Sequence, residues 1–294
     1  MTDTGTTARV RPIARVIEGV RTLEGGGFWV RRPFPTAIVS MIDPFLLLDE
    51  MGPNEVAPGE AVGAPDHPHR GFETVTYLLE GESEHRDSAG NHGVMRPGDV
   101  QWMTAGAGVV HSEMPSRGLQ ESGGRMHGFQ LWVNLPAAHK MQAPRYQDLR
   151  AEAIPRVAIP GGTATVIAGD AFGVHGPADT HVPITYVHLR LDPGATASVP
   201  VGETANAFTW VFRGSLRADG SEIGAGNAVV YGAGDEVALV AGPEGLEALL
   251  LAGEPLREPV VRYGPFVMNT KAEIAQAFED YESGAMGRIG ANSS

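Results

Sequence analysis

The chain contains no cysteine. Disulfides, thiolate metal ligands and cysteine nucleophiles are therefore excluded, and any metal site must use nitrogen and oxygen donors. No apolar run approaches the roughly 18 residues of a membrane span, so we expect no transmembrane segment. Residues 1–12 also lack the apolar core of a secretory signal, and together with the lack of cysteine this predicts a cytoplasmic protein.

Basic residues are scarce relative to acidic ones. There are 22 lysines and arginines against 35 aspartates and glutamates, and the formal net charge is −13. An acidic chain is repelled by phosphate backbones, and no basic stripe offsets this charge. We therefore expect no direct binding of nucleic acid.

Glycine and proline are abundant, with 39 and 22 residues in a chain of 294. They separate short runs rich in β-branched, aromatic and other apolar residues, a pattern typical of strands joined by tight turns. The predicted fold class is all-β, a sandwich or a barrel. The predicted strands include 36–42, 74–79, 127–133, 184–191, 207–212, 228–231 and 246–251.

Residues 270–283 have helical rather than strand periodicity. Thr270 and Glu273 have the spacing of a capping box, and Gly284 is placed to end the helix. Apolar residues recur at helical spacing along this segment, which predicts docking onto the barrel. The residues of this apolar stripe are Ile274, Ala277, Phe278 and Tyr281.

Two parts of the chain resemble each other weakly. Aligning Gly81 with Gly214 gives both parts the order strand, glycine turn, strand, glycine turn, strand. Residues 143–160 are rich in proline and charge and are the predicted linker between the two parts. The predicted organisation is therefore two tandem β-domains at 13–145 and 155–265, the helix, and disordered ends at 1–12 and 288–294.

Two pairs of candidate metal ligands stand out. His67 and His69 are separated by one residue, and so are His111 and Glu113. Alternate side chains of a strand share a face, so two such pairs on facing strands can converge on one point. Three imidazoles and a carboxylate suit a divalent first-row metal such as Fe²⁺, and also Ni²⁺, Cu²⁺ or Mn²⁺. Such a centre keeps a charge of about +1, which favours an anionic chelating ligand such as an enolate or a deprotonated phenol.

The second part of the chain lacks these ligands. The internal alignment places Pro200 and Gly202 at the positions of the two histidines of the first pair. It places Leu239 and Ala241 at the positions of the second pair. Because none of these four side chains binds metals, we expect a metal in the first domain alone.

Glu73 is a second candidate for the carboxylate ligand. It lies four residues after His69, where many β-barrel metalloproteins supply a ligand. It shares the face of the histidines only if the strand stays regular through Gly71, so it ranks behind Glu113. Its alternative role is a cross-strand hydrogen bond or the support of a ligand.

Other histidines and motifs give weaker signals. His85 and His92 lie in a polar hairpin and are predicted to be solvated. His127 opens an apolar strand and is interpreted either as a cavity residue or as a core residue. There is no G-x-S-x-G elbow and no Walker loop, so serine hydrolase and nucleotide phosphate chemistry are not indicated.

Together these motifs resemble the pirin family of the cupin superfamily. The resemblance is carried by VRRPFP, DPFLLLDEMGP, DHPHRGFETVTYLLEG, PGDVQWMTAGAGVVHSEMP, GFQLWVNLP and FVMNT. It implies two cupin β-barrels with a C-terminal helix that folds back. It also implies an iron ion in the N-terminal barrel, with ligands at the positions of His67, His69, His111 and Glu113.

The family has more than one function, so the resemblance leaves two hypotheses. The first is a quercetin 2,3-dioxygenase-like enzyme that cleaves a flavonol or another enolisable aromatic with O₂, releasing carbon monoxide from a flavonol. The base that deprotonates its substrate is then Glu113 or Glu73. Its pocket wall is expected to include Trp102, Met103, Met114 and Phe129.

The second hypothesis is a non-catalytic, iron-dependent regulator that binds a transcription factor or a metabolic enzyme. It is motivated by the acidic chain and by a second domain without metal ligands. A centre with three histidines and one glutamate leaves coordination positions for a substrate or O₂, which suits chemistry better than a structural ion. The sequence therefore favours the enzyme.

Overall fold

The structure is a computed structural model that describes residues 8–24, 26–218 and 220–290. Its first half forms helix α1 (Arg117–Ser122) and the strands β1 (Ile13–Glu18), β2 (Val20–Leu23), β3 (Trp29–Phe34), β4 (Phe45–Val56), β5 (Ala64–His69), β6 (Phe72–Glu80), β7 (Ser83–Asp87), β8 (His92–Met95), β9 (Val100–Thr104), β10 (Val109–Pro115), β11 (Gly124–Asn134) and β12 (Arg145–Leu149). Its second half forms helix α2 (Lys271–Ser283) and the strands β13 (Arg156–Ile159), β14 (Gly162–Ala171), β15 (Val174–Pro177), β16 (Ile184–Leu191), β17 (Thr196–Pro200), β18 (Asn206–Ala218), β19 (Ser221–Gly224), β20 (Asn227–Tyr231), β21 (Glu236–Gly253), β22 (Val261–Tyr263) and β23 (Phe266–Met268). The predicted all-β class is confirmed.

The contacts divide the chain into two compact units. The histidine unit consists of the described residues of Val20–Ala153 and Leu256–Ser294, and the second unit of those of Met1–Gly19 and Ile154–Pro255. The predicted bounds, 13–145 and 155–265, differ from these units at both ends of the chain. Strand β1 belongs to the second unit because it forms an antiparallel ladder with β20. Strand β22 belongs to the histidine unit.

Two sheets form the barrel of the histidine unit. One has the strand order β12-β9-β6-β11-β4-β3-β2, and the other has the order β5-β10-β7-β8. Strands β5 and β10 are antiparallel neighbours, and His111 lies directly opposite His67. The register shifts between His111 and Glu113, a kind of irregularity that re-aims side chains in sheets. This sheet therefore brings both predicted ligand pairs to adjacent strands.

The second unit is built on one large sheet. Its strand order is β1-β20-β18-β21-β16-β14-β13, and β15, β17 and β19 pair with β14, β21 and β18. An apolar cluster made mainly of valine, leucine and alanine side chains fills its interior, including Val187, Leu189, Leu239 and Leu250. The burial of this cluster, at roughly 25 cal/mol per Å² of apolar surface, is the main stabilising contribution in the unit.

The internal repeat is visible in the strand pairing of the two units. Thr76 lies opposite Gln101 in the histidine unit, and the aligned Thr209 lies opposite Val229 in the second unit. The alignment of the histidines themselves was wrong by three residues. His111 faces His67, whereas the aligned Leu239 faces Ala197.

The register therefore makes Ala197 and Val199 the counterparts of His67 and His69, in place of Pro200 and Gly202. The reason is that the connection from β17 to β18 is three residues longer than the connection from β5 to β6. Both counterparts are buried in the apolar interior of the second unit.

Helix α2 forms as predicted. Thr270 and Glu273 make a reciprocal capping box, and Gly284 ends the helix with a φ of 83°. Ile274 and Ala277 are buried against β23 and the adjoining residues, whereas Tyr281 at the end of the predicted stripe is 39% exposed. In the described part of the chain, neither α-helix has the length and apolar character that a membrane-spanning helix requires.

Three local predictions were wrong. Residues 36–42 form a loop with Ile38 exposed, and their one ladder contact among the described residues is an isolated bridge from Ile42 to Phe45. Helix α1 was not foreseen, since it is short and buries Leu119 alone. Residue Arg11, predicted to be disordered, is buried and donates to the carbonyls of Gly202 and Ala205 in its own unit. Residues 288–290, also predicted to be disordered, are described, and Ile289 packs against the apolar cluster that includes Ile274 and Ala277. The predicted disorder at residues 1–7 and 291–294 falls outside the described residues.

Candidate metal centre

Three imidazoles meet on β5 and β10. The Nε2 atom of His67 lies 3.0 Å from the Nε2 of His69 and 3.0 Å from the Nε2 of His111. Within residues 8–24, 26–218 and 220–290, these three side chains form a group whose ligand atoms all lie within 4.8 Å of one another. The cluster follows from the period of two on β5 and from the pairing of His67 with His111.

The hydrogen bonds of the first two rings fix which nitrogen carries the proton. His67 Nδ1 lies 2.7 Å from the carbonyl oxygen of Pro65, and His69 Nδ1 lies 3.4 Å from that of Pro265. Each Nδ1–H therefore donates to a carbonyl, which leaves both Nε2 atoms as unprotonated acceptors. Two acceptors that face each other at 3.0 Å repel unless a cation lies between them.

The donor set fits a metal ion. Ligating histidines nearly always donate their other N–H to a carbonyl or carboxylate, as His67 and His69 do here. With metal–nitrogen bonds of about 2.1 Å, two nitrogens 3.0 Å apart subtend an angle close to 90° at the ion. The three-histidine cluster can therefore hold a first-row metal.

Burial keeps two of the rings neutral. Desolvation, with a smaller contribution from the neighbouring imidazoles, lowers the pKa of both His69 and His111 well below the ordinary value. Neutral imidazole is the form that ligates metals. The Nδ1 atom of His111 is buried without a hydrogen-bond partner, so no interaction on that side competes for the orientation of the ring.

Glu113 faces the same space but is held by other residues. The hydroxyl of Thr76 lies 2.8 Å from its Oε1 and 2.6 Å from Gln130 Oε1, so its one proton is shared between these two acceptors, and the side-chain amide of Gln130 donates to Glu113 Oε2 at 3.4 Å. Its carboxylate does not belong to the group of three imidazoles defined above. Its place as fourth ligand thus stays a prediction.

Glu73 is buried and does not belong to the group of three imidazoles. The hydroxyl of Thr104, its cross-strand neighbour, donates to Glu73 Oε1 at 2.7 Å. This is the cross-strand role that the sequence offered as the alternative to ligation. Among the described residues that line the cavity at the histidines, Glu113 is present and Glu73 is not.

The C-terminal segment lies directly against the turn that follows His69. A side chain at Gly71 is excluded, since a Cβ there would lie 2.0 Å from the carbonyl oxygen of Val267. Lys140 is buried between the two segments, and its Nζ donates to the carbonyls of Gly71 at 2.7 Å and Val267 at 3.2 Å. Together with the Pro265 carbonyl at His69, these contacts fix the position of β5, the histidine strand that carries His67 and His69.

A cavity of about 450 Å³ opens in front of the imidazoles, and we call it the histidine cavity. Its wall is apolar at Phe28, Leu47, Met51 and Trp132. Charged and polar groups complete it at Glu24, Arg32, Asp49, Asp66, Glu113, Gln130 and Arg262. A site of this size and mixed lining is typical of small-molecule binding.

The predicted pocket wall was wrong. Trp102, Met103 and Phe129 are buried within the barrel and do not line the histidine cavity among the described residues, and Met114 lines a neighbouring cavity. For Phe129, the reason is the alternation of side chains along β11. Gln130 points into the cavity, so the adjacent Phe129 points to the opposite face.

The neighbouring cavity, of about 350 Å³, shares Glu113 with the histidine cavity. His127 lines it, and its Nε2 lies 3.0 Å from Glu50 Oε1. Both interpretations of His127 therefore hold in part, since it is buried and also lines a cavity. His85, predicted to be solvated, is buried and contacts the side-chain amide of Gln101. His92 is exposed as predicted.

Sequence reasoning missed several residues of the site. Thr76, Gln130 and Trp132 lie on predicted strands. Only the alternation of side chains along each strand could have indicated that they face the cavity. Arg262 and Pro265 come from the C-terminal segment, and no local signal connects them to His69.

Fold and site together define a cupin-type protein with a histidine centre able to hold a metal. Comparison with known families agrees. Residues 27–133 match the family model "Pirin", and residues 186–287 match the "Pirin C-terminal cupin domain". The chain belongs to the pirin family, and the predicted arrangement of two cupin domains with a C-terminal helix is confirmed.

Relatives match along nearly the whole chain. A "Pirin-like protein" of Caulobacter vibrioides is 45% identical over 278 residues, which cover 94% of this chain and 99% of the relative. Human "Pirin" is 44% identical over 270 residues, covering 90% of each. Among solved structures, a quercetin 2,3-dioxygenase from Acinetobacter baumannii superimposes with a TM-score of 0.90 at 38% identity, covering 96% of this chain and 100% of that chain.

Proposed function

We propose that the protein is a metal-dependent dioxygenase that cleaves the ring of a flavonol such as quercetin with O₂. The observation that carries this proposal is the three-histidine cluster beside a cavity of about 450 Å³, whose wall contains His67, His69 and the carboxylate of Glu113. The likeness to the Acinetobacter baumannii structure, which is named as a quercetin 2,3-dioxygenase, supports the reaction class.

His67, His69 and His111 would hold the metal, and Glu113 would complete the set. Fe²⁺ is the ion we favour, although the same donors accept Ni²⁺, Cu²⁺ or Mn²⁺. When bound, the ion supplies Lewis acidity toward the substrate hydroxyl and a site for O₂ chemistry. The protein orients the rings of His67 and His69 through backbone carbonyls.

Glu113 is the base that we assign to the deprotonation of the substrate hydroxyl. Its Oε1 lies 2.8 Å from the hydroxyl of Thr76, whereas Oε2 has the longer contact of 3.4 Å with Gln130. Oε2 is thus the better placed atom to accept a proton. Glu73 is engaged with Thr104 and lies outside the described cavity lining, so it supports the barrel instead.

The apolar wall would orient and desolvate the aromatic substrate. Trp132 contacts the imidazole of His69 edge to face, with ring centroids 5.2 Å apart. A planar ring that lies along Leu47 and Met51 would occupy the same cavity as His67 and His69. Holding the reacting groups in one orientation also raises the rate of the reaction.

The test is oxygen uptake with quercetin, together with the carbon monoxide released. Protein reconstituted with Fe²⁺ should consume O₂, and the His67→Ala variant should not. His92→Ala is the matched control, because His92 is exposed and outside the cluster. Equal rates in wild type and His67→Ala would refute the proposal.

A second candidate function is an iron-dependent regulator that binds another protein. The observation in its favour is that the register counterparts of the ligands in the second unit are apolar, so this part of the chain offers a large folded unit without a counterpart of the three-histidine cluster. The test is whether a defined partner protein stays bound to the immobilised chain. Binding that is lost when a chelator removes the metal, in a protein that does not turn over quercetin, would support this function.

A further inference from the structure

Arg262 has an unusual position in the wall of the histidine cavity. Its guanidinium carbon lies 4.7 Å from the centroid of the Trp132 ring, and its Nη1 donates to the carbonyl of Leu46 at 3.2 Å. Trp132 in turn contacts the ring of His69. One aromatic ring therefore separates this cation from a candidate metal ligand.

The acidic residues nearby are already bound by a different arginine. Arg32 donates from Nε to Asp49 Oδ1 at 2.7 Å and from Nη2 to Asp49 Oδ2 at 2.5 Å. Its Nη2 also reaches Glu24 Oε1. This bidentate geometry uses both oxygens of Asp49 and one oxygen of Glu24.

Arg262 is thus left without an ion pair of its own. No carboxylate of the described chain lies within 4.0 Å of its guanidinium, and Leu46 takes one of its five N–H groups. Burial, with the neighbouring Arg32, lowers the pKa of Arg262, yet a guanidinium stays charged. A half-buried cation with unused donors at a cavity wall is suited to an anionic group on a ligand.

The attraction for such a group is local and does not come from the net charge of the cavity. The charged side chains of the wall outside the metal centre, Arg32, Arg262, Glu24, Asp49 and Asp66, sum to −1, and a divalent ion with three neutral imidazoles and Glu113 adds about +1. Among the described lining residues, Arg32 is bound to Asp49 and Glu24, whereas Arg262 is the cation with donors left for a ligand carboxylate.

We propose that Arg262 is an anion-binding residue of the histidine cavity, and that the cavity takes hydroxylated aromatic or enolic acids. Their chelating oxygens would face the histidines, and their carboxylate would lie on the guanidinium of Arg262. The planar fork of arginine matches a carboxylate, and Trp132 offers a surface for the ring between them. The placement of the chelating end rests on the proposed function, whereas the anion site does not require turnover.

The experiment compares two probes that differ by one carboxylate, catechol and 3,4-dihydroxybenzoate. Their affinities are measured by calorimetry, without O₂, on the full chain loaded with Fe²⁺. Wild type should bind the acid about tenfold or more tightly, as expected for a charge-assisted bidentate contact. This preference should vanish in Arg262→Met and return in part in Arg262→Lys. Arg117→Met, at an exposed arginine on α1, should keep it.

A preference in wild type that persists in Arg262→Met would overturn the proposal, and so would the absence of any preference. If Arg262 merely stabilises the C-terminal segment, Arg262→Met should lose affinity for both probes equally. That result would also contradict the proposal. The outcome is independent of the dioxygenase assignment. A preference for the acid without quercetin turnover would support the anion site while the proposed reaction fails.

Discussion

Arg70 and Asp280 form an ion pair of 2.8 Å that joins the residue after His69 to helix α2. Arg70 is buried, and its Nε also donates to the carbonyl of Ala107 at 2.6 Å. The hydrogen bond from Gln276 and the contact with Arg70 lower the pKa of Asp280. Helix α2 thus supports the histidine strand from outside the cavity.

We expect Asp280→Asn to weaken this support. The buried Arg70 would lose its counter-ion, so thermal stability should fall and metal should dissociate faster. Melting curves and the rate of metal transfer to a chelator measure both effects. Glu279→Gln is the control, because Glu279 is exposed on the same helix. Identical metal release from both variants would argue that α2 has no effect on the centre.

Each of the three histidines should be necessary for metal retention. Replacement of His69 or His111 by alanine removes a donor from a set whose nitrogens lie within 4.8 Å of one another. We expect metal affinity to fall by more than about 100-fold, beyond the loss seen when only a supporting residue is removed. Elemental analysis after dialysis gives the metal content. Full metal content in His111→Ala would exclude it from the ligand set.

The two glutamates should differ in kinetics. Glu113→Gln removes the proposed base and should lower kcat for quercetin by about 10²–10⁴-fold. Glu73→Gln keeps an oxygen that accepts from Thr104, so kcat should stay within about tenfold of wild type. Oxygen uptake at saturating Fe²⁺ is the measurement. The opposite order of the two effects would assign the base to Glu73.

Lys140 predicts an unusual dependence of stability on pH. Burial lowers its pKa from 10.5 to about 8, so the unfolded chain holds the proton more tightly than the folded chain. Between about pH 8 and 10.5, folding releases this proton, and the free energy of unfolding rises with pH. Below pH 8 the cost of burying the charge is constant.

Comparison with Lys140→Met isolates this effect from other titrating groups. From pH 7.5 to 9.5, wild type should gain about 2 kcal/mol relative to the variant. Denaturant unfolding at the two pH values provides the numbers. Parallel changes in both proteins would mean that Lys140 titrates near its ordinary pKa.

The ligand cluster was predictable because it depends on local spacing. A period of two puts His67 and His69 on one face, and the same argument applies to His111 and Glu113. The capping box of α2 was predictable for the same reason. In each case the signal spans a few residues and needs no knowledge of the tertiary fold.

Features that depend on distant contacts were not predictable. His85 lies in a polar hairpin, yet it is buried because Gln101 accommodates it inside the barrel. The counterparts of the histidines in the second unit shifted by three residues because one loop is longer. Arg262 reaches the cavity from the far end of the chain, and no sequence pattern marks it. The predicted cytoplasmic location stays a prediction.

The pairing of β1 with β20 has a consequence for synthesis of the protein. β1 is synthesised some 200 residues before its partner, and β22, β23 and α2 of the histidine unit follow later still. Each unit is built from two separate stretches of chain, and the stretches of the two units alternate along the sequence. A cut between Ala153 and Ile154 would therefore give two fragments that each lack part of a unit, and the native contacts of both units are completed only once α2 has been synthesised.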